Sequence, residues 1–368
     1  MGLDEVAPER ARADAGDRTS DHLSGAIDKA WVLQRQLQMS KITVQLAVAI
    51  TACLAFHADL SAAAKKRPAP PVRRTSAPAA LPCGDLVGFQ VLLDRQGFSP
   101  GQIDGRPGAN FSHALSALQT AKKVQSTGKP DCATWKALGG DAADPTVTTY
   151  TLTDADVQGP FAKIPPKLAD QARLETLGYQ SMTEELAERF HTSPALLAQL
   201  NRGVAMSAGK AIKVPAVTPF DPAAKSARDV AAGDITIQVS REESALRATR
   251  ADGTLVFFAP VSSGSVHDPL PPGDWKVTGV AAHPVFHYNP DLFWDAKPKD
   301  EKATIKAGPN NPVGVVWVAL NLEHYGIHGT PEPGNIGHTE SHGCVRLTNW
   351  DAARLAALVK PGTAVTFK

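Results

Sequence analysis

The chain has 368 residues, more than one ordinary hydrophobic core organises, so two or three domains are expected. Its 38 basic and 37 acidic residues leave a formal charge of +1, a balance that implies no strongly basic face for nucleic acid. The four cysteines are placed unequally: Cys53 lies in an apolar run, Cys83 and Cys132 bracket one small helical stretch, and Cys344 stands in a polar, glycine-containing run. Parity then suggests one Cys83–Cys132 disulfide and one free thiol at Cys344.

Residues 1–64 read as a leader whose core is 39–64. Met39-Ser40-Lys41 precedes an uncharged run from Ile42 to Phe56, and small residues follow at Ser61-Ala62-Ala63-Ala64 before Lys65-Lys66-Arg67. A run of about 15 residues is short for a membrane span and suits the hydrophobic part of a signal peptide, so export is expected, with translation starting at Met39. An uncleaved anchor, tethering the chain to a membrane, is one alternative. Lipidation is another, because Ile50-Thr51-Ala52-Cys53 resembles a bacterial lipobox, although the apolar run continues through Leu54-Ala55-Phe56. Residues 65–82, rich in proline, alanine and basic side chains, have almost nothing to bury and read as an extended linker.

From 83 to 140 the period becomes helical. Leu86, Phe89 and Leu93 mark one helix, broken at Gly97-Phe98-Ser99-Pro100-Gly101. Phe111, Leu115 and Leu118 mark a second, and Asp131 is placed to cap a third that carries Cys132, Trp135 and Leu138. A core this small is marginal, and a disulfide closing it would restrict the unfolded chain. Val91 to Phe98, Gln102-Ile103-Asp104-Gly105 and Ala114 to Gln119 resemble the peptidoglycan-binding type 1 family. A plain three-helix spacer is the alternative.

Within 150–217, Met182, Leu186 and Phe190 share a helical face, Ser193-Pro194 opens another helix, and Ala211 to Pro215 reads as a strand. Leu186 to Pro215 is similar to the second half of a LysM module, which binds N-acetylglucosamine polymers, but no first strand stands immediately before it. A degenerate module that only braces its neighbours is the competing reading.

From 233 to 368 the period shortens. Ile235, Ile237 and Val239 alternate with Thr236 and Gln238, and further strands are expected over 255–261, 275–280, 315–320 and 364–367, giving a sandwich or barrel-like sheet. One helix is expected after Thr348-Asn349-Trp350-Asp351, which has the form of a capping box, with Leu355, Leu358 and Val359 on its apolar face and Pro361-Gly362 at its end.

Ile327-His328-Gly329-Thr330 is followed by Ser341-His342-Gly343-Cys344-Val345-Arg346-Leu347, with 12 residues between His328 and Ser341. A cysteine attacks carbonyls as thiolate and needs a base, and a flanking glycine lets backbone amides approach an oxyanion. These two runs, with Leu270 to Val277 and Gly308 to Gly314, resemble the L,D-transpeptidases of the YkuD family, over roughly Gly233 to Lys368. The fold class implied is a multidomain α+β chain in which a small three-helix peptidoglycan-binding-like domain precedes a mostly β catalytic domain. Two departures from the family pattern are the slightly short spacing after His328, which bears on the loop, and Arg346 in place of a common Asn, which bears on donor contacts.

The resemblance implies Cys344 as nucleophile and His328 as base, with the Gly329 carbonyl orienting the imidazole. The residue pattern itself makes the amides around His342, Gly343 and Cys344 candidates for an oxyanion hole. If 341–347 is extended, His342, Cys344 and Arg346 share a face, Ser341 and His342 become supporting or substrate contacts, and Arg346 could pair with a substrate carboxylate. His338 is the substitute base, and His283, His287 and His324 read as surface or groove residues. No cofactor or metal is expected. The implied activity is peptidoglycan cross-linking through an acyl-enzyme in the periplasm or cell wall. L,D-carboxypeptidation and lipoprotein anchoring are alternatives on the same scaffold. Readings of another class are a non-catalytic wall-binding protein and a zinc site built from His328, His338, His342 and Cys344. A papain-like order is disfavoured, because there the cysteine precedes the histidine.

Overall fold

A computed structural model describes residues 81–339 and 341–368, so the leader, the Cys53 lipobox and most of the linker lie outside the described residues. The helical stretch forms three helices. α1 (Leu86–Arg95) begins where the Asp85 carboxylate accepts the Gly88 amide at 2.7 Å, and α2 (Ala109–Ala121) supplies Phe111, Leu115 and Leu118 to the core. α3 (Cys132–Ala137) is capped by Asp131, which accepts the Thr134 amide at 2.8 Å. Cys83 and Cys132 are disulfide-bonded across a separation of 49 residues.

This helical core does not close on itself. Phe89, Leu93, Phe111 and Leu118 pack with Ala245 and Phe258, which belong to the C-terminal sheet. The turn after α1 docks on that sheet's edge: the Ser99 amide donates to the Phe258 carbonyl and the Phe258 amide to the Gly97 carbonyl, each at 2.8 Å. Gly97 sits at φ +86°, and a Cβ there would lie 2.9 Å from the Val256 carbonyl oxygen, so the docking needs glycine.

The middle segment runs β1 (Val147–Thr151), α4 (Asp154–Gln158), α5 (Leu168–Gln171), α6 (Met182–Arg189), α7 (Pro194–Leu200) and β2 (Ala211–Pro215). β1 and β2 pair antiparallel, Val147 opposite Pro215. The strand that the sequence left missing is therefore present, displaced upstream of α6 by 152–181. Its residues, Val-Thr-Thr-Tyr-Thr, are exposed or half-exposed and give no apolar alternation to read. Asn201 ties α7 to β2, accepting the Lys213 amide at 2.7 Å and donating to the Lys213 carbonyl at 2.8 Å. The segment's core of Leu152, Leu186, Phe190, Leu197, Ile212 and Val214 is completed by Val91 and Ile103 of the helical stretch.

The C-terminal domain contains β3 (Ile235–Ser240), β4 (Ala245–Arg250), β5 (Leu255–Pro260), β6 (Ser262–Ser263), β7 (Gly273–Ala282), β8 (Phe286–Tyr288), β9 (Ala303–Ile305), β10 (Val316–Leu320), β11 (Gly326–His328), β12 (Val345–Arg346), α8 (Asn349–Leu358) and β13 (Ala364–Phe367). Nine strands form one mixed sheet in the order β5-β4-β3-β13-β7-β10-β11-β12-β6, and β8–β9 is a separate hairpin. Only β13–β3 and β11–β12 pair in parallel. Strand alternation makes β5 two-faced: Phe257 enters the domain's own core, while Phe258 enters the helical one. β4 escaped the sequence reading because arginines interrupt its apolar residues. Among the described residues no helix is long and apolar enough to cross a membrane.

Candidate active site

The parallel pair β11–β12 builds the site. Ile327 faces Val345 and His328 faces Arg346 in register, and the Leu347 amide donates to the His328 carbonyl at 2.8 Å. Side chains in register on neighbouring strands point to the same side. Cys344 immediately precedes Val345, the residue paired with Ile327, which sets it at the start of the strand beside β11. The expectation of an extended run over 341–347 needs correction, since only Val345 and Arg346 are strand. Residues 342–344 bend instead, through Gly343 at φ +98°, where a Cβ would lie 2.6 Å from the Tyr325 ring. Accessibility still alternates: Ser341, Gly343 and Val345 are buried, whereas His342, Cys344 and Arg346 are partly open.

His328 is 4% exposed and stacks on Trp317, with ring centroids 5.4 Å apart. Its Nδ1 lies 2.6 Å from the Gly329 carbonyl oxygen. A carbonyl can only accept, so Nδ1 carries the proton and Nε2 keeps a free lone pair. Burial, with the Arg346 charge adding to it, pushes the imidazole down to about 3, and the Gly329 bond only partly opposes this. The ring is a neutral acceptor at any physiological pH.

Burial likewise raises the Cys344 thiol, while the Gly326 amide and Arg346 pull the other way. Both shifts favour the neutral forms, thiol and imidazole. The sulfur's hydrogen bond runs to the His324 carbonyl at 3.5 Å, and among the described residues it makes none to a ring nitrogen. Among the described residues, the amides of His342, Gly343 and Cys344 donate to no protein acceptor, which leaves them free for an oxyanion. Ser341 is not placed for substrate. Its 4% exposed hydroxyl donates to the Cys344 carbonyl at 2.6 Å and accepts the Gly264 amide at 2.8 Å, pinning the bend. Arg346 is half-buried, and burial lowers it while Cys344 and Glu332 favour its charge.

An aromatic wall stands next to His342. Its Nε2 is 3.0 Å from Asp295 Oδ1, and Phe293 and Trp294 lie against the ring at 5.0 and 6.0 Å. Trp294 is 56% exposed and stacks on His267 at 4.1 Å. The run Phe293-Trp294-Asp295 reaches the site from a loop distant in the chain, while Tyr325 and Trp317 lie just before His328 in sequence and were not singled out by its motif. His338 and His287 are exposed, and His283 is bound to the Pro222 carbonyl at 2.9 Å, so none of these joins the site. His324 contributes its carbonyl. Among the described residues no three His, Cys, Asp or Glu side chains converge as a metal-ligand group, so the four residues of the zinc alternative do not assemble as a set.

Residues 234–366 match the family model "L,D-transpeptidase catalytic domain", YkuD. The chain carries a YkuD-family L,D-transpeptidase domain. Residues 85–138 match the model "Putative peptidoglycan binding domain", which coincides with the three-helix stretch. The protein named "Putative L,D-transpeptidase YkuD" of Bacillus licheniformis is 29% identical over 186 residues, covering 50% of this chain and 91% of that one. "Probable L,D-transpeptidase YbiS" of Escherichia coli is 45% identical over 65 residues, covering 18% of this chain and 21% of that one. A solved structure, "L,D-transpeptidase from Mycobacterium smegmatis", overlaps with a TM-score of 0.31 at 19% identity, covering 37% of this chain and 58% of that one. The transpeptidase domain thus holds His328, Cys344 and the bend between them, while the helical stretch borders it through β5.

Proposed function

We propose that this chain cross-links or remodels peptidoglycan outside the cytoplasm, through a thioester on Cys344. The sulfur attacks the carbonyl between the diamino acid and the terminal D-Ala of a tetrapeptide stem, and its proton passes to His328 Nε2. The carbonyl carbon–nitrogen bond then breaks, and His328 returns the proton to the departing D-Ala amine. An amine on a neighbouring stem attacks the thioester, loses a proton to His328 and regenerates the thiol. The observation that carries this reading is the Nδ1 bond to the Gly329 carbonyl, because it leaves Nε2 as the ring's acceptor, on the strand paired with the one that follows Cys344. Arg346 is assigned to a donor carboxylate, and the amides of 342–344 to the oxyanion.

For the middle segment we favour a brace over a glycan-binding module, because the C-terminal end of α6 is spent on buried contacts. Glu188 bonds Asn349 at 2.6 Å, and His191 stacks on Trp350 at 5.1 Å.

The test is intact mass spectrometry of the chain incubated with disaccharide-tetrapeptide. An adduct equal to the stem less D-Ala is expected, mapped to Cys344 and absent from Cys344→Ala. The same adduct on that variant would sink the assignment. A cross-linked dimer, a free tripeptide or a lysine-linked protein as product tells the transpeptidase, carboxypeptidase and anchoring readings apart.

A further inference from the structure

The base is not held by its own domain alone. Glu188, on α6 of the middle segment, is 6% exposed, and its Oε1 accepts from Asn349 Nδ2 at 2.6 Å. Asn349 is fully buried at the first turn of α8. Its Nδ2 also donates to the Pro309 carbonyl at 3.1 Å, and its Oδ1 accepts the Val315 amide at 3.2 Å. The same Oδ1 lies against the backbone of Gly314 and Gly329, where any Cβ would overlap it. Gly329 is the residue whose carbonyl holds His328 Nδ1 at 2.6 Å. One hydrogen bond, one packed contact and one hydrogen bond therefore connect Glu188 to the catalytic imidazole.

We propose that Glu188 is a positioning residue for the transpeptidase base: it orients the Asn349 amide, which fixes the Gly329 carbonyl and with it the ring and tautomer of His328. The inference rests on the functional reading above. An acid is an expensive choice at a buried junction, where an apolar side chain of equal volume would pack at no electrostatic cost. What the carboxyl adds is an acceptor of fixed direction. Without it, the two Nδ2 protons of Asn349 share a single carbonyl partner, and the amide can turn away from Gly329. The arrangement also makes the transpeptidase domain depend on the segment docked beside it.

The experiment compares Glu188→Gln, which keeps an acceptor oxygen, with Glu188→Met, which keeps volume and loses it, in the full chain. The ¹⁵N NMR signals of the His328 ring report its tautomer without any turnover. Glu188→Gln should retain the wild-type ring signals and the pH profile of Cys344 acylation. Glu188→Met should displace the Nδ1 signal and slow acylation by roughly 100-fold, with the change in kcat rather than KM. A merely structural role would lower the folded fraction and leave ring signals and pH profile in place. If Glu188→Met fails to fold, Glu188→Asp, one methylene too short to reach Asn349, carries the comparison. Wild-type ring signals in Glu188→Met, or in Glu188→Asp where that variant carries the comparison, would overturn the proposal. A wild-type chain that forms no adduct would instead remove the functional reading, leaving the ring signals to decide the positioning role.

Discussion

Two buried histidines divide the labour of this molecule. At the β11–β12 edge, His328 has a backbone carbonyl as its Nδ1 partner and Arg346 as its charged neighbour. At the junction between segments, His191 has a carboxylate partner, Asp94, at 3.1 Å, and lies flat on Trp350. Burial works against the Asp94 charge, but His191, Arg354 and Arg95 outweigh it and keep its carboxyl below the ordinary range. A backbone carbonyl orients the first imidazole, and a buried carboxylate together with an indole face holds the second. The first arrangement suits a proton acceptor, and the second suits a cross-link between α1, the turn after α6 and α8.

His328→Ala breaks the comparison on the catalytic side. Acylation of Cys344 should fall on the order of 100-fold to 10,000-fold near neutral pH, read as the rate of thioester adduct formation. Full retention of rate would move the base role to His342. On the junction side, His191→Leu leaves the Asp94 charge buried without its partner and should cost about 3–5 kcal/mol in denaturant unfolding, with the acylation rate of the folded fraction unchanged.

A third prediction concerns pH. Burial pushes Glu188 up to about 8 from an ordinary 4.5, so between those values the folded chain holds a proton that the unfolded chain has released. Stability is therefore fullest below about pH 4.5 as far as this group is concerned, and falls as pH rises to 8. The fall should be on the order of 5 kcal/mol, and Glu188→Gln should flatten it. An unfolding free energy that climbs over the same window in the wild type relative to Glu188→Gln would contradict this. The smallest effect is expected at the aromatic wall. Trp294→Ala removes a half-open indole next to His342 and should cost about 1 kcal/mol of stem binding, seen as a several-fold rise in KM with kcat held.

Much of the site was legible because its residues lie in two short runs. Gly329 follows its histidine directly, and the bend at Gly343 is written as a glycine beside the cysteine. The helix caps at Asp131 and Thr348 were also readable, since a cap is set by residues within one turn. β1 was not, because its threonines carry no apolar alternation. Asn349 and Glu188 were hidden for another reason. They are separated by 161 residues, and nothing local to either marks it as a partner of the other.

By itself the sequence determined the helical and strand periods, the two cysteine environments and the two short runs that carry His328 and Cys344, all of which follow from residues close along the chain. Tertiary structure alone decided that three segments share their cores through Phe258 and Val91, that Ser341 serves the backbone rather than substrate, and that the middle segment reaches the base through Asn349. These depend on which surfaces meet, and burial and hydrogen-bond direction at a meeting of distant residues are set by the packed chain rather than by any local pattern.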